Sequence, residues 1–568
     1  MNKQFTLLAL LIGASLQAQA AQDPFFTITE DSAGSASKGY EGPWAIGISK
    51  QGDALLTLHT DNDAGSYFSR APFANFLVDR FNFEPGCLLA SSVCNSYWDD
   101  QVHRTYQWRI DNLNGGSQRE NTGAFSGDEN DGIVTALGDT SDDYVGYKMA
   151  TAPYKSDGYY HVRTAFASVA GNQVDLNAKF TLTNDSGSAV NSLSLPNSMT
   201  KLDDRYIVAG TVAVTAGSDS SFKNCYGGNS DKSGHFTYCP GFDTQAAFWV
   251  LDSSGDNPQL TVAPSYYRAD NSVLETAAAT GLAEYNGKLY GVGYSSTGEA
   301  GSSTLSGRNV AVYWDLTLSG NTLSFGSLSK VPLALGEPGR GDKKMRHSWA
   351  IGVNSAGYVV GNQLYTTNKN RNRPTEMFVY KIGQSGNAVI PFENAPAEGA
   401  NSQAAAINDH SMVVGWRDAR NYTSPVVSGT NRLQEAFLYN AASGSAWYLN
   451  DLICGKSDSG SKNCAVQSSG KYYHITYANG ISADGSIAAT AYRYDNETDL
   501  NKKQNGVVVS IKMSPAVADF TSIDSKYVVS NPPVVQTAAE ESESGGGGGS
   551  LFWLTLLAAP FAWWRRRH

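Results

Sequence analysis

The hydrophobic positions of the chain come in short runs that are paired around tight polar turns. Clear examples are WAIGVNSAGYVVGN at 349–362, AAAINDHSMVVGW at 404–416 and ANGISADGSIAATAY at 478–492. Runs of this length with period-two alternation, bounded by Gly, Asn, Asp and Ser, are typical of β-strands joined by short turns. Helical periodicity is nearly absent outside the two ends of the chain. The pattern therefore predicts an all-β fold.

The paired runs occur seven times along the chain. In most copies a third strand-like run follows, often containing Ala-Phe, and a fourth short run closes several copies. Each copy therefore predicts an antiparallel meander of four strands. We use as an anchor the polar residue that ends the first run, which gives Ser49, Asp139, Asp203, Glu284, Asn354, Asn408 and Ser482.

Sheets of this kind must stack, because a single sheet cannot bury both of its faces. Radial stacking of seven copies predicts a β-propeller with seven four-stranded blades, which also protects most strand edges. A sheet sandwich or two smaller propellers are the alternatives, since the copies are unevenly spaced. A strand from one end of the chain usually completes the last blade, and the candidates are residues 24–31 and 519–530.

The repeats carry a family resemblance. Copies such as AIGVNSAGYVVG and AAAINDHSMVVGW, with Ala-Phe at 165–166, 247–248 and 436–437, resemble the HAF-type extracellular repeat, although its His is missing here. The similarity covers about residues 40–512. The whole chain also resembles an uncharacterised family of exported proteins from marine gamma-proteobacteria. The resemblance implies no catalytic residues.

The N-terminal residues 1–20 have the features of a secretory signal peptide. Lys3 precedes an apolar run at 5–12, and small residues lead to the A-x-A site that ends at Ala20. The apolar run is too short to span a bilayer. We therefore predict export through the inner membrane and a mature chain that begins at Ala21.

The C-terminal residues 531–568 combine an acidic and glycine-rich linker, 531–549, with an apolar stretch and three arginines. As a helix the stretch 550–564 extends about 22 Å, less than the roughly 30 Å of a bilayer core. The order of these parts resembles the GlyGly-CTERM sorting signal. That resemblance implies cleavage by a rhomboid-type protease (rhombosortase), type II secretion, and a final location on the surface of a Gram-negative cell or outside it; a weak tail anchor is the alternative. The sorting residues are Gly545, Gly546, Gly547, Gly548, Gly549, Ser550, Arg565, Arg566 and Arg567.

These features divide the chain into a signal peptide at 1–20, a β-propeller at 21–530, a linker at 531–549 and a sorting or transmembrane segment at 550–568. Removal of both end segments takes away Lys3 and three arginines, which changes the formal net charge from -11 to -15. A chain this acidic is not expected to bind nucleic acid.

Six cysteines occur as three close pairs. In an oxidising compartment close pairs predict local disulfides, although six cysteines allow fifteen connectivities. The spacings do not match zinc sites, so no metal is predicted there. The pairs are Cys87 with Cys94, Cys225 with Cys239, and Cys454 with Cys464.

One face of the propeller is predicted to carry function. In a four-stranded meander, the loops between the second and third strands leave the same face as the crossings to the next blade, and here these loops are long. Loops on a rigid scaffold commonly carry binding residues. Basic residues there predict a site for an anionic surface polymer or glycan, unless the two loops fail to converge, and aromatic residues predict stacking on sugar rings. The candidates are Lys343, Lys344, Arg346, Lys369, Arg371, Arg373, Trp98, Trp416 and Tyr422.

Motifs for catalysis are missing from the sequence, which contains no GxSxG, HExxH, Walker or Rossmann pattern. Short acidic turns at 61–63 and 128–131 make Ca²⁺ a weaker possibility than plain solvated turns, because neither completes an EF-hand. We therefore predict an exported binding or adhesion module. The alternative is a secreted hydrolase or lyase acting on polysaccharide or peptide, which requires two titratable groups within hydrogen-bond reach at the propeller mouth.

Overall fold

The computed structural model describes residues 23–31, 40–60, 133–154, 158–183, 189–215, 243–267, 276–297, 309–338, 344–365, 369, 374–420, 434–456, 462–466, 469–516, 520 and 523. The chain divides into two compact units, Met1–Val535 and Gln536–His568, and all of these residues belong to the first. None of the helices formed by these residues has the length and apolar character that crossing a membrane requires. The predicted signal peptide and sorting segment lie outside them.

Seven antiparallel sheets follow one another along the chain, and we number them as blades one to seven. Blade one contains β2 (Tyr40–Ile48) and β3 (Ala54–Thr60). Blade two contains β4 (Ile133–Leu137), β5 (Tyr144–Tyr154), β6 (Gly158–Val169) and β7 (Asn172–Asp175), and is followed by a hairpin of β8 (Thr181–Thr183) and β9 (Ala189–Asn191). Blade three contains β10 (Ser194–Leu202), β11 (Arg205–Thr215), β12 (Asp243–Leu251) and β13 (Gln259–Val262).

The remaining blades repeat this meander. Blade four contains β14 (Ala277–Tyr285), β15 (Lys288–Ser296), β16 (Asn309–Ser319) and β17 (Thr322–Lys330). Blade five contains β18 (Met345–Val353), β19 (Tyr358–Tyr365) and β20 (Thr375–Lys381). Blade six contains β21 (Ser402–Ile407), β22 (Met412–Asp418), β23 (Gln434–Asn440) and β24 (Ala446–Tyr448), followed by α1 (Leu449–Leu452) and a hairpin of β25 (Gly455–Lys456) and β26 (Lys462–Asn463). Blade seven contains β27 (Tyr472–Ile481), β28 (Ile487–Tyr494), α2 (Glu497–Lys502), β29 (Val507–Pro515) and the N-terminal β1 (Phe26–Glu30).

The seven sheets close into a ring. The first strand of each blade contacts the first strand of the next, in the order β2, β4, β10, β14, β18, β21 and β27, and β27 also contacts β2. The N-terminal β1 completes blade seven by pairing with β29, which places Phe26 opposite Pro515 and Glu30 opposite Ile511. The predicted β-propeller is therefore confirmed, and β1 lies within the first of the two predicted closing segments.

Two blades depart from the predicted four strands. In blade five the fourth run makes only a single bridge, between Val379 and Val389. Pro391 follows closely and has no N–H to extend the ladder, which explains why this run does not form a strand. Blade one has two described strands, and residues 61–132 after them lie outside the described part of the chain.

Apolar side chains fill the space between neighbouring blades. Phe248 of blade three packs edge-to-face on Trp314 of blade four, with ring centroids 6.3 Å apart, and both side chains are completely buried. The indole N–H of Trp314 donates to the Pro264 carbonyl at 2.8 Å, so its burial leaves no polar atom unsatisfied. Burying one large ring in this way stabilises the fold by about 2–3 kcal/mol.

The anchor residues tie neighbouring blades together on the face that carries the short turns, which we call the short-turn face. The side-chain amide of Asn354 donates to the Asn408 carbonyl at 3.0 Å, and the amide of Asn408 donates to the Ser482 carbonyl at 3.0 Å. Their side-chain oxygens accept backbone N–H groups of their own turns. The polar anchors of the sequence thus link blades five, six and seven.

One predicted disulfide lies within the described residues. Cys454 and Cys464 are joined between blades six and seven, with their sulfur atoms 2.09 Å apart. The other four cysteines, Cys87, Cys94, Cys225 and Cys239, lie outside the described residues.

Candidate functional site

A channel of about 820 Å³ follows the axis of the ring and is lined by the first two strands of the blades. At the short-turn face its lining includes Lys50, Lys201, Glu284 and Asp409, which lie at or next to the turns that end the first strands. The second strands of the blades end at the opposite face.

A β-bulge interrupts the first strand of every blade at an equivalent position. In four blades the side chain of the bulge residue donates a hydrogen bond to a backbone carbonyl of the next blade. In each case this carbonyl belongs to the residue that directly precedes the bulge residue of that next blade. The bonds are Thr135 to Pro196 at 3.0 Å, Asn197 to Ala279 at 2.7 Å, Thr280 to Ala350 at 3.0 Å and Asn479 to Ala45 at 2.8 Å. The bulge residues are Ile46, Thr135, Asn197, Thr280, Ile351, Ala405 and Asn479.

At the level two residues before the bulge, blades five to seven each place a large ring beside the channel, on the first strand in blades five and seven and on the second strand in blade six. Trp349 pairs with Asn362 across β18 and β19, Gln403 pairs with Trp416 across β21 and β22, and Tyr477 occupies the same position in β27. Trp349, Trp416 and Tyr477 all line the channel and are partly exposed. We call these three side chains the aromatic arc.

The rings of the arc are held in a defined arrangement. Trp416 and Tyr477 pack edge-to-face, with centroids 5.9 Å apart and planes at 83°. The Tyr477 hydroxyl donates to the side-chain oxygen of Gln434 at 2.9 Å. Asn362 beside Trp349 exchanges two hydrogen bonds with the backbone of Ala404, at 2.9 and 3.2 Å, and so joins blade five to blade six. The arc is therefore pre-formed and bordered by amide groups.

Glycines in the second strands make this geometry possible. A Cβ at Gly361 would lie 2.2 Å from the Trp349 carbonyl oxygen, and a Cβ at Gly415 would lie 1.9 Å from that of Gln403. No side chain larger than hydrogen fits so close to a backbone oxygen. The Val-Val-Gly runs of the sequence therefore let the two strands approach each other where the arc residues lie.

A buried ionic network supports the arc on the blade seven side. The Arg420 guanidinium binds Glu435 at 3.0 Å and Asp451 at 2.6 Å. His474 donates from Nε2 to the Gln434 carbonyl at 2.8 Å and accepts at Nδ1 from the Lys503 ammonium at 3.2 Å. Burial, and then the positive charge of Lys503, lower the pKa of His474 to about 4. His474 is therefore a neutral imidazole at pH 7. It holds the backbone of Gln434, whose side chain accepts the hydrogen bond from Tyr477.

The sequence-predicted binding residues are distributed unevenly. Trp416 lies in the aromatic arc, Lys344 is exposed just before β18, and Arg346 belongs to β18. Lys369 is largely buried, and its ammonium lies 2.7 Å from Glu376 and 3.5 Å from Glu393, so two carboxylates already balance its charge. The other candidates lie outside the described residues and stay predictions: Lys343, Arg371, Arg373, Trp98 and Tyr422.

Two of the three arc residues were missed by the sequence prediction. Trp349 begins one of the predicted apolar runs and Tyr477 directly precedes another, and neither is among the predicted site residues. The signal that identifies them is their distance from the bulge, but a bulge has no distinctive residue type here: Thr, Asn, Ile and Ala all occupy it.

Comparison with known proteins places the chain in an uncharacterised group and shows distant likeness to several propellers. A family model described as "Protein of unknown function (DUF3466)" matches residues 90–567. No curated protein matches the chain. Three solved structures are similar at low TM-scores. They are a Trypanosoma rangeli sialidase in complex with the inhibitor DANA (10% identity, TM-score 0.30, 60% of this chain and 58% of that chain), the β-propeller domain of the Trilobed protease from Pyrococcus furiosus (11%, 0.28, 63% and 80%), and the GH93 α-L-arabinofuranosidase of Fusarium graminearum with arabinobiose (10%, 0.29, 66% and 89%). TM-scores this low carry no argument about activity.

Proposed function

We propose that this chain, which belongs to the DUF3466 family of proteins of unknown function, is an exported binding module. It holds a carbohydrate against the aromatic arc of its axial channel. The observation that carries this proposal is the alignment of Trp349, Trp416 and Tyr477 at one level of three consecutive blades. Adhesion to a surface glycan is the biological role that such binding supports.

The arc suits a sugar chain for two physical reasons. Flat aromatic faces gain dispersion and electrostatic contact with the C–H groups on one side of a pyranose ring. The partly exposed amide of Gln403, which pairs with Trp416 across the strands, offers donors and an acceptor to hydroxyl groups. A concave site that combines large rings with a few fixed polar groups is the usual form of a small-molecule or oligosaccharide site.

Export of the propeller is part of the same proposal. It is supported by the signal-like residues 1–20 and by the glycine, apolar and arginine segments at 545–568. The partners in that route are the export and type II secretion machinery and a rhomboid-type protease. An extracellular propeller would meet glycans of its own envelope, of a host or of a substrate surface.

Binding of a glycan array by the secreted protein tests the proposal, followed by affinity measurements on the strongest ligand. Trp416→Ala and Tyr477→Ala are each expected to weaken binding by tenfold or more, about 1.4 kcal/mol, because each removes one stacking surface. The measurement is a calorimetric titration of each purified variant.

The matched control is Trp447→Ala, which removes a partly buried indole from the outermost strand of blade six. It is expected to keep the affinity of the unmodified protein. Equal affinity of all three variants, or no glycan binding by the secreted protein, would falsify the carbohydrate site.

The hydrolase alternative stays a prediction. It requires two titratable groups in hydrogen-bond contact at the mouth of the channel. Among the described lining residues the carboxylates are Glu284 and Asp409, and both lie at the short-turn end rather than beside the aromatic arc. Release of reducing sugar from the array ligand is the measurement that would support hydrolysis.

A further inference from the structure

Arg417 is a buried cation in β22, directly after the arc residue Trp416. Its guanidinium carbon lies 4.3 Å from the ring centre of Phe392 and 4.6 Å from that of Tyr448. The residue is only 9% exposed. Its N–H donors lie in the plane of the guanidinium and are the groups that can bind an acceptor.

No hydrogen bond or ion pair joins the Arg417 side chain to another described residue, and its Nε is fully enclosed without a partner among them. The acidic neighbours are engaged elsewhere. Glu435, its cross-strand partner, accepts from Arg420 at 3.0 Å. One oxygen of Asp418 accepts two bonds from Asn401, at 2.9 and 3.2 Å.

Such an arrangement is costly for the protein alone. Burying a charge without a hydrogen-bonded counter-ion is unfavourable, and burial accordingly lowers the pKa of Arg417. Cation–π contact with the two rings offsets part of this cost. Oxygen acceptors that bind the N–H groups of the guanidinium would offset more of it.

We propose that Arg417 is the anchor of a second binding site, which takes an oxyanion group such as a sulfate, phosphate or carboxylate. An oxyanion accepts two parallel N–H bonds from the edge of a guanidinium, and this fork geometry is the strongest form of the interaction. Because Nε is enclosed, the terminal N–H groups of Arg417 are the donors for the bound group.

The charged groups around the site are balanced among themselves. Arg420 packs over the other face of Tyr448 at 3.9 Å and neutralises Glu435 and Asp451. Lys503 lies farther along the same network, on His474. Asp418 is directed to the backbone and side chain of Asn401. Among the described residues, therefore, none makes a hydrogen bond to the guanidinium of Arg417, whereas Arg420 and Lys503 both have partners.

The site is separate from the aromatic arc. Successive residues of a strand face opposite sides of the sheet. Trp416 contacts Tyr477 of blade seven, whereas Arg417 contacts Phe392, which packs with Phe437 on the blade five side of blade six. The proposal therefore does not depend on carbohydrate binding in the channel.

Thermal unfolding of the full secreted protein in chloride, sulfate, phosphate or acetate at matched ionic strength tests this proposal. Because a ligand of the folded state stabilises it by mass action, we expect a saturable rise in Tm of about 2–4 °C with at least one oxyanion. The three anions distinguish tetrahedral from carboxylate ligands. Arg417→Met is expected to lose the rise, and to melt in chloride at the same temperature or higher, because methionine fills the space between the rings without an unpaired charge.

Two further variants keep the test decisive. Arg205→Met removes an arginine of blade three that is paired with Asp204 and with Asn321 of blade four. This variant should keep the full rise in Tm. Arg417→Lys keeps the charge without the planar fork, so half-maximal stabilisation should need at least tenfold more oxyanion. The proposal is overturned if the unmodified protein shows no oxyanion-specific rise, if Arg417→Met retains it, or if Arg417→Lys responds like the unmodified protein. Trp416→Ala is expected to keep the rise in Tm. The test of the oxyanion site is therefore independent of the test of the carbohydrate site.

Discussion

His474 shows how a single buried side chain makes the propeller sensitive to acid. Its ring lies between the Gln434 carbonyl and the Lys503 ammonium, and it is 5% exposed. A second proton on the ring would face the Lys503 charge with little water to screen it. The folded pKa of about 4 therefore lies well below the ordinary value of 6.5.

The sign of the resulting pH dependence follows from linkage. As the pH falls from 6.5 to about 4, the unfolded chain protonates His474 and the folded chain does not, so folding stability is lost across this window. The loss attributable to His474 is about 3 kcal/mol. His474→Gln, which keeps a donor for the Gln434 carbonyl, is expected to lose about 3 kcal/mol less than the unmodified protein between pH 7 and pH 4, as measured by urea unfolding.

The exposed His410 provides the control. His410→Gln makes the same change of residue type at an exposed position, and it should change the free energy of unfolding at pH 7 by less than about 0.5 kcal/mol. If His474→Gln and the unmodified protein lose the same stability between pH 7 and pH 4, the neutral buried state assigned to His474 is wrong.

Residue types alone predicted one member of the aromatic arc, Trp416, and missed the other arc residues and Arg417. Trp416 stood out because it ends an apolar run before a long loop, where rings commonly bind ligands. Trp349 and Tyr477 lie within strands, and Arg417 is one of many arginines in the sequence. Their roles depend on which side chains the neighbouring blades bring beside them, and such long-range neighbours are not encoded in local spacing.

At the scale of the element, the recurring glycine of the second strand has a common structural role. In blades three to six, a Cβ on this glycine would lie 1.9–2.2 Å from the carbonyl oxygen of the residue two positions before the bulge. The first and second strands therefore approach more closely there than they could if this position carried a residue with a Cβ atom. The four glycines are Gly210, Gly293, Gly361 and Gly415.

Gly415→Ala tests this close approach. Its Cβ would overlap the Gln403 carbonyl oxygen and meet the Phe437 ring at 3.0 Å, so the strand must move away. We expect a loss of about 3 kcal/mol in the free energy of unfolding, the upper range for overpacking a well-packed site. Equilibrium unfolding in urea measures it.

Gly47→Ala is the matched control, because a Cβ at Gly47 meets no atom within 4 Å. A change below about 0.5 kcal/mol is expected for such a site. Equal effects of the two alanine substitutions would show that the second-strand glycine is not required for strand approach.

The strand pattern was predictable from the sequence, whereas the bulges were not. The short apolar runs and the polar turns between them identified the paired strands, because a blade that buries both faces of its sheet has apolar residues along most of a strand. A bulge shifts that alternation by one residue and turns side chains toward the channel or the next blade. With Ile351 at one bulge and Ala405 at another, nothing in residue type marks the shift.

At the scale of the whole molecule, ring closure brings the three blades of the aromatic arc beside one channel. The pairing of β1 with β29 joins the first described strand of the chain to the last and completes blade seven. Phe25 and Phe520 pack next to this junction, with ring centroids 5.9 Å apart. The number of repeats predicted the blade count, because each sheet needs a neighbour on both faces.

Other whole-molecule predictions stay untested. The signal peptide at 1–20 and the sorting segment at 550–568 lie outside the described residues, as do Lys343, Arg371 and Arg373 of the predicted anion site. Long loops carry few apolar runs, so their sequence gives little basis for predicting which of them converge. The residues of the aromatic arc, in contrast, belong to strands whose register is defined by antiparallel pairing.

The most direct test is an experimental structure of the propeller with the strongest ligand from the glycan array. We predict that a sugar ring lies within about 4.5 Å of the Trp349, Trp416 or Tyr477 ring, on the side that faces the channel. A ligand bound at an outer strand or at the short-turn face, with the aromatic arc unoccupied, would contradict the account.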